Sequence, residues 1–224
     1  MEGHSTIAVL GGTGELGSAL AKRWAAAGYP IVVGSRAKDK AEAAAKAMST
    51  EIGSVAITGE DNLGAARMAD IVVIAVPYSN HEAILNEIKS AVSGKVIVDA
   101  VVPLVPPKVS VVQLPPDGSA AQSAQRLVGG AARVVSAFHN VGAAKLHAGG
   151  KVDCDVLVFG DDKAARETVI ELANAAGTRG IDGGALANSI AAEALTSVLI
   201  GINRRYKVDG AGIRITGIPT SQPR

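Results

Sequence analysis

Twenty-two basic and twenty-one acidic side chains among 224 residues leave a net charge of +1, which excludes a basic field for nucleic acid and a polybasic surface for an anionic membrane. Apolar residues make up 48 % of the chain, yet it has only two Phe, three Tyr and one Trp, so the core must be built from Ala, Val, Ile and Leu, as in a sheet covered by helices. The single Cys154 excludes an internal disulfide or a thiolate metal cluster, its flanks Asp153 and Asp155 oppose thiolate formation, and four scattered histidines form no metal pattern.

Met1 to Thr6 has no cationic n-region, so a cytoplasmic location is expected. Thr6 to Leu10 reads as the first strand, and Leu16, Leu20 and Trp24 recur at helical spacing until Gly28 supplies a stop. Between them lies Gly11-Gly12-Thr13-Gly14-Glu15-Leu16-Gly17, in which Gly12, Gly14 and Gly17 fit G-x-G-x-x-G. A helix starting there aims unpaired N–H groups and its positive dipole end at a pyrophosphate, so no cationic side chain is needed inside the loop. Ile31-Val32-Val33 is a second strand ending in Gly34-Ser35-Arg36, and Lys38 to Met48 is rich in helix formers. Ser54 to Thr58 alternates as a third strand, Asp61 to Met68 is a short helix, and Ile71 to Val76 is a continuous apolar strand.

Pro77 to Glu82 leaves that strand, with Ser79 and Glu82 at capping-box spacing for a helix from Glu82 to Ala91, and Val96 to Val98 is a fifth strand. Five of the nine prolines fall between Val101 and Asp117, which predicts a long ordered loop at the carboxyl end of a strand, where ligands bind in open α/β sheets. Ser119 to Val128 resumes as helix, and Arg133 to Phe138 is a sixth strand delivering His139-Asn140-Val141-Gly142. Val156 to Phe159 is a strand, Lys163 to Ala176 a helix that Asp161 and Asp162 cap, and Arg179 to Asp182 an edge strand. Leu186 to Asn203 is a long helix whose apolar residues cover more than one stripe, as at an interface, while Asn188, Ser189, Glu193, Thr196, Ser197 and Asn203 interrupt the apolar length of a membrane span. His81 and His147 fall on helices and read as structural, and the tail from Ile218 reads as frayed.

The fold class is therefore α/β, a Rossmann-type doubly wound and mainly parallel sheet with a small carboxy-terminal α/β extension and a long interface helix. Residues 1–138 are expected to be the dinucleotide-binding domain and 139–224 the extension. An NAD site places an acid about 20 residues past the glycines, whereas this chain has Ser35, Arg36 and, one turn on, Lys40. A hydroxyl, a guanidinium and an ammonium at one spot suit a phosphate, so the nucleotide is read as NADP(H).

The glycine segment, Val33-Gly34-Ser35-Arg36 with Lys40, Ser136-Ala137-Phe138-His139, Gly160-Asp161-Asp162 and Leu186-Ala187-Asn188-Ser189, in this order and over nearly the whole chain, resemble the coenzyme F-420-dependent NADP oxidoreductase family. The resemblance implies reversible hydride transfer between reduced F-420, an 8-hydroxy-5-deazaflavin, and NADP⁺. It implies that Thr13 to Leu16, Ser35, Arg36 and Lys40 hold NADP, that Val76 and Pro77 lie by its ribose and nicotinamide, and that the His139 loop approaches the deazaflavin. It adds Val102, Val141 and Ala143 to the cofactor contacts, and Gly210 and Gly212 through a glycine-rich segment near the carboxyl terminus. Tyr78 and Asn140-Val141-Gly142 depart from the better-known archaeal pattern, which has tryptophan and Thr-Ile-Pro at the matching places. Direct hydride transfer needs two rings aligned and water excluded, so no catalytic triad is expected and His139 is a candidate to orient the deazaflavin. Small-molecule cofactors and a second copy of the chain, as a homodimer, are the expected partners. The rival readings are an NADPH-dependent imine or ketone reductase, which needs a larger helical domain than the residues after Asp182 provide, and a non-catalytic NADP(H) sensor.

Overall fold

The protein is described by a computed structural model covering residues 4–53 and 56–218. Strands β1 (Ile7–Leu10), β2 (Ile31–Ser35), β3 (Ile57–Asp61), β4 (Ile71–Ile74), β5 (Val96–Asp99), β6 (Arg133–Ser136), β7 (Asp155–Gly160) and β8 (Arg179–Gly184) form one sheet in the order β3-β2-β1-β4-β5-β6-β7-β8. Every neighbouring pair is parallel except β6 with β7. The helices are α1 (Glu15–Ala26), α2 (Lys38–Ile52), α3 (Asn62–Met68), α4 (His81–Ile88), α5 (Ala120–Val128), α6 (Ala143–His147), α7 (Lys163–Ala175) and α8 (Ser189–Tyr206).

The apolar runs of β1, β4 and β5 are buried along their whole length because helices cover both faces of the sheet. One core gathers Val9, Val33, Val73 and Trp24; the other, on the opposite face, gathers Leu10, Val32, Ile74 and Leu85. Trp24 is fully buried, donates its indole N–H to the Leu172 carbonyl at 2.8 Å, and meets the Phe138 ring edge-on at 5.7 Å. This contact ties α1 and α7 to the end of β6. The chain runs outward from β1 to β3 and returns to β4 on the other side of β1, so the strand order reverses between β1 and β4. A crevice opens there at the carboxyl ends of the strands.

Several boundaries differ from the sequence reading. The third strand starts at Ile57 rather than Ser54; Ser54 and Val55 lie outside the described residues, as do residues 219–224 of the expected tail. Gly59 sets this register, because a Cβ there would come within 2.3 Å of the Ala41 carbonyl carbon and so keep α2 off the sheet. No capping box forms: Ser79 is absorbed into a 3₁₀ turn, Tyr78–Asn80, and α4 begins at His81 without a side-chain cap. The segment after Gly142 forms the short helix α6 rather than remaining loop. Asp162 caps α7 by accepting from the Ala165 amide at 2.7 Å, while Asp161 accepts from the Leu186 amide. By length and a mean hydropathy of 1.3, Leu186–Tyr206 would suffice to cross a membrane. Its polar residues Ser189, Glu193 and Ser197, however, form with Ala192 and Leu199 the face buried within the chain, against α5 and β7.

Candidate functional site

The cleft at the carboxyl ends of β1, β2 and β4 has a volume of about 310 Å³ and is lined by Gly11, Thr13, Gly14, Gly34, Ser35, Arg36, Val76 and Pro77 among others. Its floor is main chain. Gly11 takes φ +82°, and a Cβ on it would come within 2.5 Å of the Ala75 carbonyl oxygen, so this glycine, ahead of the three motif glycines, makes the sharp turn. Gly12 lets the loop lie on β2, since its Cβ would meet Val33 at 3.0 Å, and Gly17 lets α1 sit on the turn, since its Cβ would lie 2.4 Å from the Gly11 oxygen. Helix α1 then starts at Glu15 from an extended Gly14 with no side-chain cap. Its first amides remain available for an anion from solution.

Arg36 is exposed at the tip of β2, and Lys40 is exposed in the first turn of α2; neither has an ion-pair or hydrogen-bond partner among the described residues. Lys38, by contrast, is engaged with Glu60 at 2.7 Å. Arg36 and Ser35 line the cleft, but Lys40 stands outside its wall, as do Gly12, Glu15, Leu16 and Gly17; of these Gly12 and Gly17 are buried under the turn, while Glu15 is exposed. Glu15 accepts through its main-chain carbonyl from His147 Nε2 at 3.0 Å.

The other candidate residues gather in a second place. Phe138 has φ +69°, a left-handed conformation rare outside glycine, and it redirects the chain so that His139 turns inward at the end of β6. His139 is 6 % exposed, and neither ring nitrogen has a hydrogen-bond partner among the described residues. Burial drives its pKa down to about 4 in spite of the nearby Asp99, so the ring is neutral at physiological pH. The loop is tied to α8: Asn140 donates to the Ala192 carbonyl at 2.8 Å, and Thr196 Oγ1 donates to the His139 carbonyl at 2.9 Å. Gly142 and Gly210 face one another so closely that a Cβ on Gly142 would lie 2.7 Å from the Gly210 Cα, and Gly212 packs on Cys154. The structure thus brings His139, Val141, Ala143, Gly210 and Gly212 into one region, while Val102 follows β5 at the start of the proline-rich loop.

Sequence reasoning missed two buried acids here. Asp99, fully buried at the tip of β5, contacts His81 Nε2 at 2.7 Å and accepts from the Val101 amide at 3.0 Å. Burial opposes a charged imidazole, but the charge and hydrogen bond of Asp99, with Glu193 and Glu82 beyond, outweigh it and raise the His81 pKa. Glu193 on α8 is 1 % exposed and accepts from the amides of Ala120 and Ala121 at 2.6 and 3.1 Å, so it caps α5 together with Ser119. Burial pushes its carboxyl up to about 8 against those two bonds, with the Asp99 charge adding to the rise. The signal was available for Asp99, an acid closing an otherwise apolar strand.

Residues 6–103 match the model of a family described as NADP oxidoreductase, coenzyme F-420-dependent. The chain is 42 % identical over 221 residues to an F-420-dependent NADP reductase of Methanocaldococcus jannaschii, covering 95 % of this chain and 98 % of that protein. The chain belongs to the F-420-dependent NADP reductase family. A second member of this reductase family, from Methanothermobacter marburgensis, is 40 % identical over 95 % of this chain and 99 % of its own length. A crystal structure of a proposed F-420-dependent NADP reductase from Arthrobacter sp. FB24 superimposes with a TM-score of 0.77 at 25 % identity, covering 95 % of this chain and 99 % of that one.

Proposed function

We propose that the protein is an oxidoreductase that passes a hydride directly and reversibly between reduced coenzyme F-420 and NADP⁺. The observation that carries this reading is the roughly 40 % identity to F-420-dependent NADP reductases over 95 % of the chain. The site fits a dinucleotide. Uncapped amides at the start of α1 suit a pyrophosphate, and the unpaired Arg36, beside Ser35 and with Lys40 nearby, suits the 2′-phosphate of NADP. Residues 1–138 hold this half, with Val76 and Pro77 towards the nicotinamide. Residues 139–224 supply the deazaflavin half, in which the unpartnered His139 ring offers a donor and an acceptor to a polar ring edge and Val141, Ala143, Gly210 and Gly212 form the surround, with Val102 added from the segment after β5. When bound, the deazaflavin and nicotinamide supply the redox chemistry, and the chain orients them and keeps water out. Anaerobic mixing with reduced F-420 and NADP⁺ should restore the absorbance of oxidised deazaflavin. Binding of NADPH with the deazaflavin absorbance unchanged would overturn catalysis in favour of a sensor.

Removing the Arg36 guanidinium should weaken NADPH binding by about 1.5–3 kcal/mol, the loss of one charge-assisted hydrogen bond, and leave NADH nearly unaffected. Equal losses for the two nucleotides in Arg36→Ala, measured by fluorescence titration, would remove the 2′-phosphate assignment. Pairing of two copies is part of the same proposal. Val198 on α8 is 46 % exposed, and Ser110 of the proline-rich loop reaches Arg204 of that helix, beside the exposed Val111 and Val112. A dimer is expected in sedimentation velocity at micromolar concentration; a monomer there would contradict it.

A further inference from the structure

One wall of the cleft has a chemistry opposite to the rest. Asn80, which ends the 3₁₀ turn before helix α4, and Ala83, Ile84 and Glu87 of α4 form this wall, at a spacing that puts them on one face, and Glu87 is the only carboxylate among the described residues of the lining. The remainder attracts anions, through the uncapped amides of α1 and the guanidinium of Arg36. A carboxylate facing such a cleft repels phosphate, so the part of a ligand that lies against α4 has to present N–H or O–H donors. Glu87 is exposed, yet its position is fixed: Asn62, at the head of α3 and only 1 % exposed, donates from Nδ2 to Glu87 Oε2 at 3.3 Å. The Asn62 Oδ1 has no hydrogen-bond partner among the described residues, and it lies on the side of Gly34, where a Cβ would come within 3.3 Å of it. Two acceptors therefore sit beside Ala83 and Ile84, which give a flat ring an apolar surface.

We propose that Glu87, held by Asn62, is the specificity-determining acceptor for the exocyclic 6-amino group of the adenine ring, so that the protein selects a 6-aminopurine dinucleotide over a 6-oxopurine one. The proposal rests on the reading of this cleft as the NADP site. With a 6-oxo group, a carbonyl oxygen faces a carboxylate, and both partners are acceptors. The test compares NADPH with reduced nicotinamide hypoxanthine dinucleotide phosphate by calorimetric titration of the full chain. The wild type is expected to bind NADPH about tenfold or more tightly, the scale of one hydrogen bond to a charged group. In Glu87→Gln the side-chain amide presents a donor to the 6-oxo group and an acceptor to the 6-amino group, so the ratio should fall to within about threefold. A wild-type ratio near one overturns the proposal. An unchanged ratio in Glu87→Gln with both ligands weakened alike also overturns it, because Glu87 then serves a feature common to both, such as a ribose hydroxyl. Failure of the wild type to bind NADPH at all removes the underlying reading and the proposal together, and differs visibly from lost discrimination.

Discussion

Replacing His81 with alanine is expected to lower the stability of the fold by about 3–5 kcal/mol at neutral pH, the range seen when one partner of a buried ion pair is removed. Asp99 is fully buried, and apart from His81 its carboxylate is held by the Val101 amide. Without the imidazole that single bond leaves a buried carboxylate whose charge has lost its partner. The reverse change is milder. In Asp99→Asn the imidazole can shed its proton near neutrality, so Asp99→Asn should cost less than His81→Ala. Urea unfolding followed by circular dichroism measures both; a loss below about 1 kcal/mol in His81→Ala would show that the pair does not support the fold. The Val101 bond also joins this pair to the segment carrying Val102, so a loosened pair should disturb the cleft side of β5 before the rest of the sheet.

Stability should also fall on the alkaline side of neutrality. Glu193 titrates near 8 in the folded chain against 4.5 when free, so the folded state keeps a proton that the unfolded state has lost, and stability declines as pH rises between those values. His81 has a raised pKa, so its contribution is complete below about 6.5 and is lost as pH rises through the folded value. His139 has the opposite sign: with a folded pKa of about 4 it adds stability as pH rises from 4 to 6.5 and is neutral in both states above that. Between about 4.5 and 6.5 Glu193 and His139 therefore offset one another, and between 6.5 and 8 Glu193 and His81 act together. A loss of roughly 2 kcal/mol or more is expected over that upper interval, read from denaturation midpoints at fixed salt. Glu193→Gln should start from a lower stability, because the amide satisfies only one of the two α5 donors, and should show a shallower decline. A midpoint that rises from pH 6.5 to 8 would contradict the assignment.

What could be read from the chain follows from how locally each feature is determined. The turn at Gly11–Gly17 and the buried strands are set by nearest neighbours, since missing side chains and unbroken apolar runs have few alternative uses. The start of β3 was not legible, because Val55 and Ile57 alternate well by themselves, while the deciding contact joins Gly59 to the backbone of α2. Ser79 and Glu82 had the spacing of a cap, but the turn after Pro77 takes Ser79 first. Asn62 and Glu87 lie in separate helices and resemble ordinary polar faces until the fold places them side by side. Glu193 likewise looks like a polar interruption in an apolar helix, and its role as a cap for α5 exists only in three dimensions.

Trp24 is the single tryptophan of the chain, and its ring rests edge-on against Phe138, the residue whose left-handed backbone sets the direction of His139. The protein therefore contains an intrinsic optical reporter beside the carboxyl end of β6. Shielded from water, that indole emits at short wavelength, so a spectral shift during a titration would register rearrangement of the β6 terminus without any attached label.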